Sequence, residues 1–342
     1  MPAIAPPAKV LVTGASGFVA VWVTRTLLEK GFSVVVTVRS DSKGEYLKNL
    51  YKDHGDKFSY VIVDDIEKEG AFDEFVKDVD AVEHTASPFH LRADDPQELI
   101  GPAVNGTVGV LKSIKAHGKK VKRVVITSSI AAIISDKLPP YTYTETDWNN
   151  VSEGIVKEQG KKASAVHKYR ASKTLAERAA WKFIAENPGL GWDLVTVNPP
   201  FIYGPPIHDI PSFNALNTSI ASFYAALLNK DAPFSNDKLA APNGNWVDVR
   251  DVAFVHAEAL LKEDAGGERF AACAGTCTWQ DFLDALNEVG VEGIPKGIPG
   301  AGKAAVDIPL SGEKAVRVLG IKYKTMSECA KDTVEAIRSR GW

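Results

Sequence analysis

Short apolar segments rich in β-branched residues alternate with longer amphipathic segments from the start of the chain to Pro200, and this alternation restricts the fold most. The short segments have the length and composition of buried strands, whereas the longer ones repeat their apolar residues at helical spacing. Alternating strands and helices form right-handed βαβ units, which build a parallel sheet covered on both faces. We predict strands at 9–14, 32–40, 58–66, 79–87, 121–129 and 192–200, and helices at 18–31, 96–117 and 167–187.

The composition of the chain excludes several classes of protein. The 342 residues are 45% hydrophobic and carry a formal net charge of −3, so nothing indicates a surface for nucleic acid. No apolar run approaches the roughly 20 residues that span a membrane, and the first residues lack the pattern of a signal peptide. The three cysteines, a small and odd number, indicate buried thiols rather than a disulfide framework. We therefore expect a cytoplasmic protein with no membrane or nucleic-acid partner.

A glycine-rich turn follows the first strand. Gly14, Gly17 and Ala20 form a GxxGxxA pattern within "TGASGFVA", between the first strand and the first helix of a βαβ unit. In that context the backbone can approach a pyrophosphate, and the helix N-terminus supplies amide donors. The alternative is a tight turn without a ligand. We predict a dinucleotide-binding site to which this turn contributes Thr13, Gly14, Ala15, Ser16, Gly17, Phe18 and Val19.

The end of the second strand indicates which dinucleotide binds. Sheets that bind NAD have an acidic residue here, which binds the ribose 2′-hydroxyl. In this chain the strand ends at Arg39, followed one turn later by Lys43, with Asp41 between them. An arginine can hold a 2′-phosphate with paired hydrogen bonds, whereas a carboxylate would repel it. We therefore predict NADPH/NADP+ as the cofactor; the alternative is that Arg39 and Lys43 belong to a solvated helix start.

Two further strand ends meet at the same edge of the predicted sheet. At the end of the third strand, the Asp65 carboxylate could accept from an adenine amino group while Ile66 packs on the ring; Asp64 and simple helix capping are the alternatives. The fourth strand ends in "HTASP", whose small residues would let a cofactor backbone pass close by, unless they are merely packed. We predict cofactor contacts from Asp65, Ile66, Thr85, Ala86 and Ser87.

The alternation of strands and helices stops after Pro199. Residues 199–214 are rich in proline and aromatic residues, which indicates a loop, and strand and helix signals resume at 245–261. We predict an α/β Rossmann fold in which a doubly wound parallel sheet over residues 1–195 binds NADP. A smaller C-terminal α+β region over 196–342 would bind the substrate, with 245–262 packing back on the first domain.

Tyr169 and Lys173 share one face of a predicted helix because they are four residues apart. The fifth strand ends in Thr127, Ser128 and Ser129, on the side of the sheet where ligands bind. Tyr169 can donate a proton to an oxygen that gains charge during hydride transfer, and the Lys173 cation would lower the tyrosine pKa, ordinarily about 10. Ser129 can hydrogen-bond the same oxygen. We predict catalysis by Ser129, Tyr169 and Lys173, with Thr127, Tyr169 and Lys173 also contacting the cofactor; the alternative is an ordinary surface pair.

The order of the motifs "TGASGFVA", "TSS", "YRASK", "NPPFIYGP" and "WVDVRDVA" resembles the extended short-chain dehydrogenase/reductase superfamily over most of the chain. More narrowly, it resembles the branch of fungal NADPH-dependent carbonyl and methylglyoxal reductases and plant dihydroflavonol and cinnamoyl-CoA reductases. This resemblance implies that the serine, tyrosine and lysine named above are catalytic and that Asn198 and Pro199 border the nicotinamide. It also implies structural roles for Asp248 and Asp251.

Apolar and aromatic residues near the predicted site indicate the kind of substrate. They favour a ketone or an aldehyde with apolar groups, although each could equally belong to the core. The plant flavonoid reductases carry an asparagine shortly after the serine pair, and the segment "IAAII" at 130–134 has none, which favours the fungal type. No histidine pair has metal-ligand spacing, so we expect no metal. The predicted substrate residues are Phe89, Ser129, Val166, Tyr169, Tyr203 and Phe213.

Two other functions compete with carbonyl reduction. A nucleotide-sugar dehydratase would carry Thr-Asp-Glu at 127–129, and an epimerase would carry an acid in place of Arg39. A non-enzymatic NADP sensor would have lost Tyr169 or Lys173, and both are present. We therefore predict an NADPH-dependent carbonyl reductase that converts a ketone or an aldehyde to an alcohol. The physiological substrate and the choice between a monomer and a homodimer stay open.

Overall fold

A computed structural model describes residues 4–87, 93–137, 140–305 and 308–342. Its strands are β1 (Lys9–Thr13), β2 (Ser33–Val38), β3 (Phe58–Ile62), β4 (Ala81–His84), β5 (Arg123–Thr127), β6 (Asp193–Asn198), β7 (Phe201–Tyr203), β8 (Pro242–Asp248), β9 (Arg269–Ala271) and β10 (Gly275–Thr278). Seven of them form one parallel sheet in the order β3-β2-β1-β4-β5-β6-β9. The order runs outward in both directions from β1, so the predicted doubly wound α/β fold is confirmed.

Helices cover both faces of this sheet. The α-helices of the described ranges are α1 (Phe18–Glu29), α2 (Asp41–Leu50), α3 (Gln97–His117), α4 (Ser152–Gln159), α5 (Ala165–Glu186), α6 (Thr218–Leu227), α7 (Asn236–Ala240), α8 (Val249–Leu261), α9 (Trp279–Glu288) and α10 (Met326–Arg338), of which α6, α9 and α10 pack on the smaller sheet. Helices α3 and α5 pack together on one face, and α1 and α8 pack together on the other. In β1, Leu11 packs into the apolar cluster beneath α3 and α5, whereas Val10 and Val12 pack beneath α1 and α8. Burial on both faces explains why the strands are continuous apolar runs.

The third strand is shorter than the sequence predicts. It ends at Ile62 rather than at residue 66, because two aspartates there fold the backbone into local turns. Asp64 Oδ1 accepts a hydrogen bond from the Asp65 amide at 3.0 Å, and Asp65 Oδ1 accepts one from the Glu67 amide at 2.8 Å. Aspartate side chains compete in this way with the hydrogen bonds of a strand.

The rest of the chain builds a smaller layer and then returns to the main sheet. Strands β7, β8 and β10 form a second sheet, in which β8 pairs with β7 in parallel and with β10 in antiparallel orientation. Asp248 begins α8 by accepting a hydrogen bond from the Arg250 amide at 2.8 Å, which confirms its structural role. Helix α8 packs against α1, β5 and β6, and β9 then adds to the sheet beside β6.

None of the helices in the described ranges combines the length and the apolar character that crossing a bilayer requires.

Candidate functional site

The glycine-rich turn joins β1 to α1 at the carboxyl edge of the sheet. Gly14 has a φ of 68°, a left-handed conformation that glycine adopts without strain, and the Gly17 amide donates to the Gly14 carbonyl at 3.0 Å. Helix α1 begins at Phe18 with Gly17 as its N-cap residue. Because glycine has no side chain that could cap the first helical amides, those donors and the helix dipole can bind an anionic group. The remaining predicted residues of this turn are Ala15, Ser16 and Val19.

The segment after β4 packs directly on this turn. The Thr85 hydroxyl donates to the Thr13 carbonyl, and the Ala86 amide donates to Thr13 Oγ1 at 3.2 Å. A Cβ atom at Gly14 would lie 2.9 Å from Ala86 Cα, so any larger residue would push the two segments apart. The structure therefore brings these predicted cofactor residues together where β1 separates the two halves of the sheet.

The residues predicted to hold a 2′-phosphate lie between β2 and α2. Arg39 directly follows β2, and its side chain is exposed. Lys43 lies one turn into α2, where its Nζ atom forms an ion pair with Asp209 Oδ2 at 2.7 Å. The Asp41 carboxylate accepts a hydrogen bond from the Tyr60 hydroxyl at 2.7 Å. Two cations therefore lie at this strand end, one of which is shared with the loop after β7.

Asp65 and Ile66 follow β3, at the same edge of the sheet. Asp65 is exposed, and one of its oxygens binds the Glu67 amide, which is the capping role that the sequence left as an alternative. Ile66 is half-buried against α3, where a Cβ at Gly106 would come within 3.0 Å of its Cδ1 atom. An adenine contact by Asp65 would have to use its other carboxylate oxygen.

The structure brings Ser129 and Tyr169 into contact. Ser129 follows β5, and its hydroxyl accepts a hydrogen bond from the Ala131 amide at 3.1 Å. Helix α5 begins beside it, because the Ser164 hydroxyl caps the helix by accepting from the His167 amide at 3.3 Å. The Ser129 hydroxyl lies close enough to the Tyr169 phenol to act on its pKa, which it lowers. A serine and a tyrosine 40 positions apart in the chain thus form one polar pair.

Burial changes the acidity of both predicted proton-handling groups. Loss of water around the phenol raises the pKa of Tyr169 to about 12, although the nearby Ser129 hydroxyl acts in the opposite direction. Burial lowers the pKa of Lys173 to about 8, while the negative charge of Glu177 acts to raise it. The Lys173 Nζ atom donates to Ser87 Oγ at 2.9 Å, so the lysine reaches the end of β4. At neutral pH Tyr169 is therefore protonated, and Lys173 is mostly charged.

The predicted residues at the ends of β5 and β6 have distinct surroundings. Asn198 Nδ2 donates to the Ser129 carbonyl at 3.1 Å, and the Pro199 carbonyl accepts from the Ile130 amide at 3.0 Å. These bonds connect the nicotinamide side predicted from the resemblance to Ser129, the predicted catalytic serine. The Thr127 hydroxyl instead contacts His256 Nε2 of α8 at 3.0 Å, on the opposite face of the sheet. A contact from Thr127 to the cofactor would therefore come from its backbone.

The predicted substrate residues are divided between the surface and the core. Val166 is 50% exposed near the start of α5, and Phe213 is 39% exposed and packs edge-on against Tyr224 and Trp342. Tyr203 is 1% exposed and belongs to an aromatic cluster with residues such as Phe282, so the structure places it in the core. Phe89 lies outside the described residues.

Sequence reasoning missed Glu177, which lies one turn beyond Lys173 on α5. Glu177 is 2% exposed, and its carboxylate accepts hydrogen bonds from five side chains. The signal was present in the sequence, since Tyr169, Lys173 and Glu177 are spaced at i, i+4 and i+8 and so share one helix face. The five donors are Ser128 Oγ at 2.5 Å, Arg269 Nε at 2.6 Å, Asn198 Nδ2 at 2.7 Å, Thr196 Oγ1 at 3.1 Å and Trp181 Nε1 at 3.3 Å.

Comparison with known proteins shows extensive similarity. The model of the NAD dependent epimerase/dehydratase family matches residues 10–273. Ketoreductase azaE of Aspergillus niger is 39% identical, with 96% of this chain and 97% of that protein covered. NADPH-dependent methylglyoxal reductase GRE2 of Saccharomyces cerevisiae is 36% identical, with 96% and 98% covered. The crystal structure of Gre2 in complex with NADPH from Candida albicans has a TM-score of 0.85 and 35% identity, with 97% and 99% covered.

Proposed function

The chain belongs to the NAD dependent epimerase/dehydratase family, and from this membership we propose that it reduces the carbonyl group of a ketone or an aldehyde with NADPH. The observation that carries the proposal is the contact between Ser129 and Tyr169, with Lys173 one helical turn away. Relatives that match nearly the whole chain are a ketoreductase and a methylglyoxal reductase.

The residues at the carboxyl edge of the sheet fit a dinucleotide. Gly14 lets the turn lie close against Ala86, and the first amides of α1, which no side chain caps, are the donors that a pyrophosphate would use. When bound, NADPH supplies the hydride that reduces the carbonyl carbon. The fit rests on the turn itself, which a side chain at Gly14 would disrupt.

Tyr169 and Ser129 then act on the carbonyl oxygen of the substrate. As negative charge develops on that oxygen, the Tyr169 hydroxyl donates its proton and the Ser129 hydroxyl donates a hydrogen bond. Because the tyrosine pKa is about 12, the proton is present on Tyr169 before the reaction at any physiological pH. Lys173 supplies positive charge that stabilises the resulting phenolate.

The charge at the end of β2 favours NADPH over NADH. Arg39 can form paired hydrogen bonds with a 2′-phosphate. Asp41, the carboxylate that could oppose this, is hydrogen-bonded to the Tyr60 hydroxyl at 2.7 Å. The relative of known structure with a TM-score of 0.85 was solved with NADPH.

We also propose that the two regions of the chain bind different molecules. Residues 1–195 would bind the cofactor, and residues 196–342 would build most of the substrate side, including Phe213. Val166 would contribute from the first region, near the start of α5. Partial exposure of Val166 and Phe213 supports a contact with an apolar substrate group. Substitution of either residue by serine would then raise KM for apolar ketones more than for methylglyoxal.

We propose the cytoplasm as the location and either a monomer or a homodimer as the assembly. The three cysteines are free and buried, which suits a reducing compartment. Fractionation of cells that make the tagged protein tests the location, and sedimentation at micromolar concentration tests the assembly. Recovery of the protein in an oxidising compartment would contradict the first proposal.

The test of the proposed function is consumption of reduced cofactor with a panel of ketones, aldehydes and 2-oxoaldehydes. We expect oxidation of NADPH with apolar ketones or methylglyoxal and little oxidation of NADH. Conversion of a nucleotide sugar without net cofactor oxidation would support an epimerase or dehydratase instead. Binding of NADPH without turnover of any substrate would support an NADP sensor.

A further inference from the structure

Glu177 is a buried carboxylate directly below the catalytic face of α5. It lies four residues after Lys173 and eight after Tyr169, and its side chain contacts β6 and β9 as well as its own helix. We propose that Glu177 is a positioning residue for carbonyl reduction, which fixes Ser129 beneath the substrate oxygen and keeps Lys173 charged. This inference rests on the proposed function and assigns that reaction a residue that does not touch the substrate.

The first part of the inference concerns the position of Ser129. Glu177 Oε2 accepts from Ser128 Oγ at 2.5 Å and from Asn198 Nδ2 at 2.7 Å. Asn198 Nδ2 also donates to the Ser129 carbonyl at 3.1 Å. One carboxylate oxygen therefore holds the residue before Ser129 and, through Asn198, the backbone of Ser129 itself.

The second part concerns charge. Arg269 Nε donates to Glu177 Oε1 at 2.6 Å, and the guanidinium is fixed in turn by the Asp147 carbonyl at 2.8 Å and by the ring of Trp148, whose centroid lies 3.8 Å away. The Glu177 carboxylate is thus held by one ion pair, with Arg269, and by four further hydrogen bonds. Charges of Arg269, Glu177 and Lys173 therefore alternate in sign from the sheet toward the catalytic tyrosine.

The other groups around Lys173 cannot replace this negative charge. On β4, His84 is buried, and its pKa is lowered to about 4 by burial and by Lys173, so it is neutral at physiological pH. The Ser87 hydroxyl that accepts from Lys173 is also neutral. On α3, which packs on α5, the charged side chains of Glu98, Lys112 and Lys115 are exposed to solvent. Burial alone lowers the pKa of Lys173, and Glu177 is the group that opposes this effect.

The Glu177→Gln substitution tests the charge directly. Without the carboxylate, Lys173 loses its proton at lower pH, so we expect the alkaline fall of kcat/KM to move down by about one pH unit. At pH 8 this corresponds to a roughly fivefold loss, mainly in kcat rather than in KM. The matched control is Glu186→Gln, which removes a largely exposed glutamate from the same helix and should leave the pH profile unchanged.

Two further variants separate charge from simple structural support. Arg269→Gln removes the cation that offsets Glu177, so Lys173 should keep its proton to higher pH and the alkaline fall should move up. Glu177→Asp keeps the charge and should restore most of the wild-type profile. Circular dichroism and NADPH binding report whether each variant folds. If Glu177→Gln does not fold, the pH profiles of Arg269→Gln and Glu177→Asp still show whether the charge of Glu177 acts on Lys173.

The outcomes are distinguishable from failure of the proposed function. Carbonyl reduction by the wild type and by Glu186→Gln establishes that the reaction is present. Opposite shifts of the pH profile in Glu177→Gln and Arg269→Gln would support the inference. Loss of activity in both variants with an unshifted profile would overturn it and leave Glu177 as a purely structural residue.

Discussion

Tyr169 and Ser129 meet because α5 begins beside the carboxyl end of β5. The helix spacing of Tyr169 and Lys173 could be read from the sequence, and so could the strand that ends in serines. Their protonation could not, because it depends on how much water the folded chain removes from each group. Burial places the tyrosine pKa at about 12 and the lysine pKa at about 8, and these values determine how the residues can act.

The Tyr169→Phe substitution removes the proposed proton donor and little else. We expect kcat to fall by about 100-fold or more, because general acid catalysis contributes about that much, with NADPH binding largely retained. Steady-state kinetics and fluorescence titration of NADPH measure the two quantities. Tyr323→Phe, which removes a hydroxyl near β9, is the control and should keep its activity. Near-normal turnover by Tyr169→Phe would exclude the tyrosine as the acid.

Carbonyl reduction should depend on pH through Lys173. Burial lowers the pKa of this lysine to about 8, so its stabilising charge is present below that value and is lost as the pH rises through it. We expect kcat/KM to be highest on the acid side and to fall near pH 8. A profile that stays flat to pH 10 would show that the reaction does not require the lysine charge.

Arg39→Asp should change the preference between the two cofactors. The substitution replaces the proposed phosphate-binding cation with a carboxylate, so we expect Kd for NADPH to rise by at least about tenfold while Kd for NADH changes little. Isothermal titration with each cofactor measures the ratio. Arg317→Asp, the same change at an exposed position of the C-terminal region, is the control. Equal weakening of both cofactors would remove the phosphate role from Arg39.

At the scale of elements, long periodic segments could be predicted and short ones could not. Helix α5 and strand β6 were predicted to within two residues at each end, since their apolar patterns are strong. Strand β9 was not predicted, because its three residues carry too little pattern and pair with β6 only after α8 has returned. The role of Arg269 was missed for the same reason, since it depends on that pairing.

The loop after β7 is tied to the cofactor side by long-range contacts that the sequence does not reveal. Trp22 Nε1 donates to the Pro205 carbonyl at 2.9 Å, the Tyr46 hydroxyl donates to the Ile207 carbonyl at 3.0 Å, and Lys43 forms an ion pair with Asp209. The predicted phosphate ligand Lys43 is thus already engaged with a carboxylate.

Asp209→Asn should therefore strengthen NADPH binding. The substitution frees Lys43 and removes a negative charge near the expected 2′-phosphate, so we expect Kd for NADPH to fall about threefold at low salt while Kd for NADH stays unchanged. Asp231→Asn, at an exposed position, controls for loss of an acid elsewhere. Weaker NADPH binding would instead show that Asp209 holds Lys43 in its binding position.

At the scale of the whole molecule, a buried ion pair supports the return of the chain to the main sheet. Arg123 is fully buried and binds both carboxylate oxygens of Asp193, at 2.7 and 2.9 Å. Its guanidinium also donates hydrogen bonds to the Ala259 and Lys262 carbonyls, at 2.7 and 2.5 Å, at the end of α8. One side chain thus joins β5 and β6 to the helix that precedes β9.

Asp193→Ala should destabilise the fold without changing the chemistry. Removing one partner leaves a buried cation uncompensated, which costs about 3–5 kcal/mol in the free energy of unfolding. Urea denaturation measures this loss, and kcat per folded molecule at low temperature should remain near that of the wild type. Asp56→Ala, at an exposed position, should change stability by about 0.5 kcal/mol or less. Loss of less than 1 kcal/mol for Asp193→Ala would show that the pair does not support the fold.

The most direct measurement is the absorbance of reduced nicotinamide while the purified protein is mixed with a carbonyl panel and either NADPH or NADH. The arrangement of Arg39, Ser129, Tyr169 and Lys173 predicts rapid loss of the NADPH signal with apolar ketones or methylglyoxal and a much slower loss with NADH. No loss with any carbonyl and either cofactor, from protein that binds NADPH, would contradict carbonyl reduction as the function of this chain.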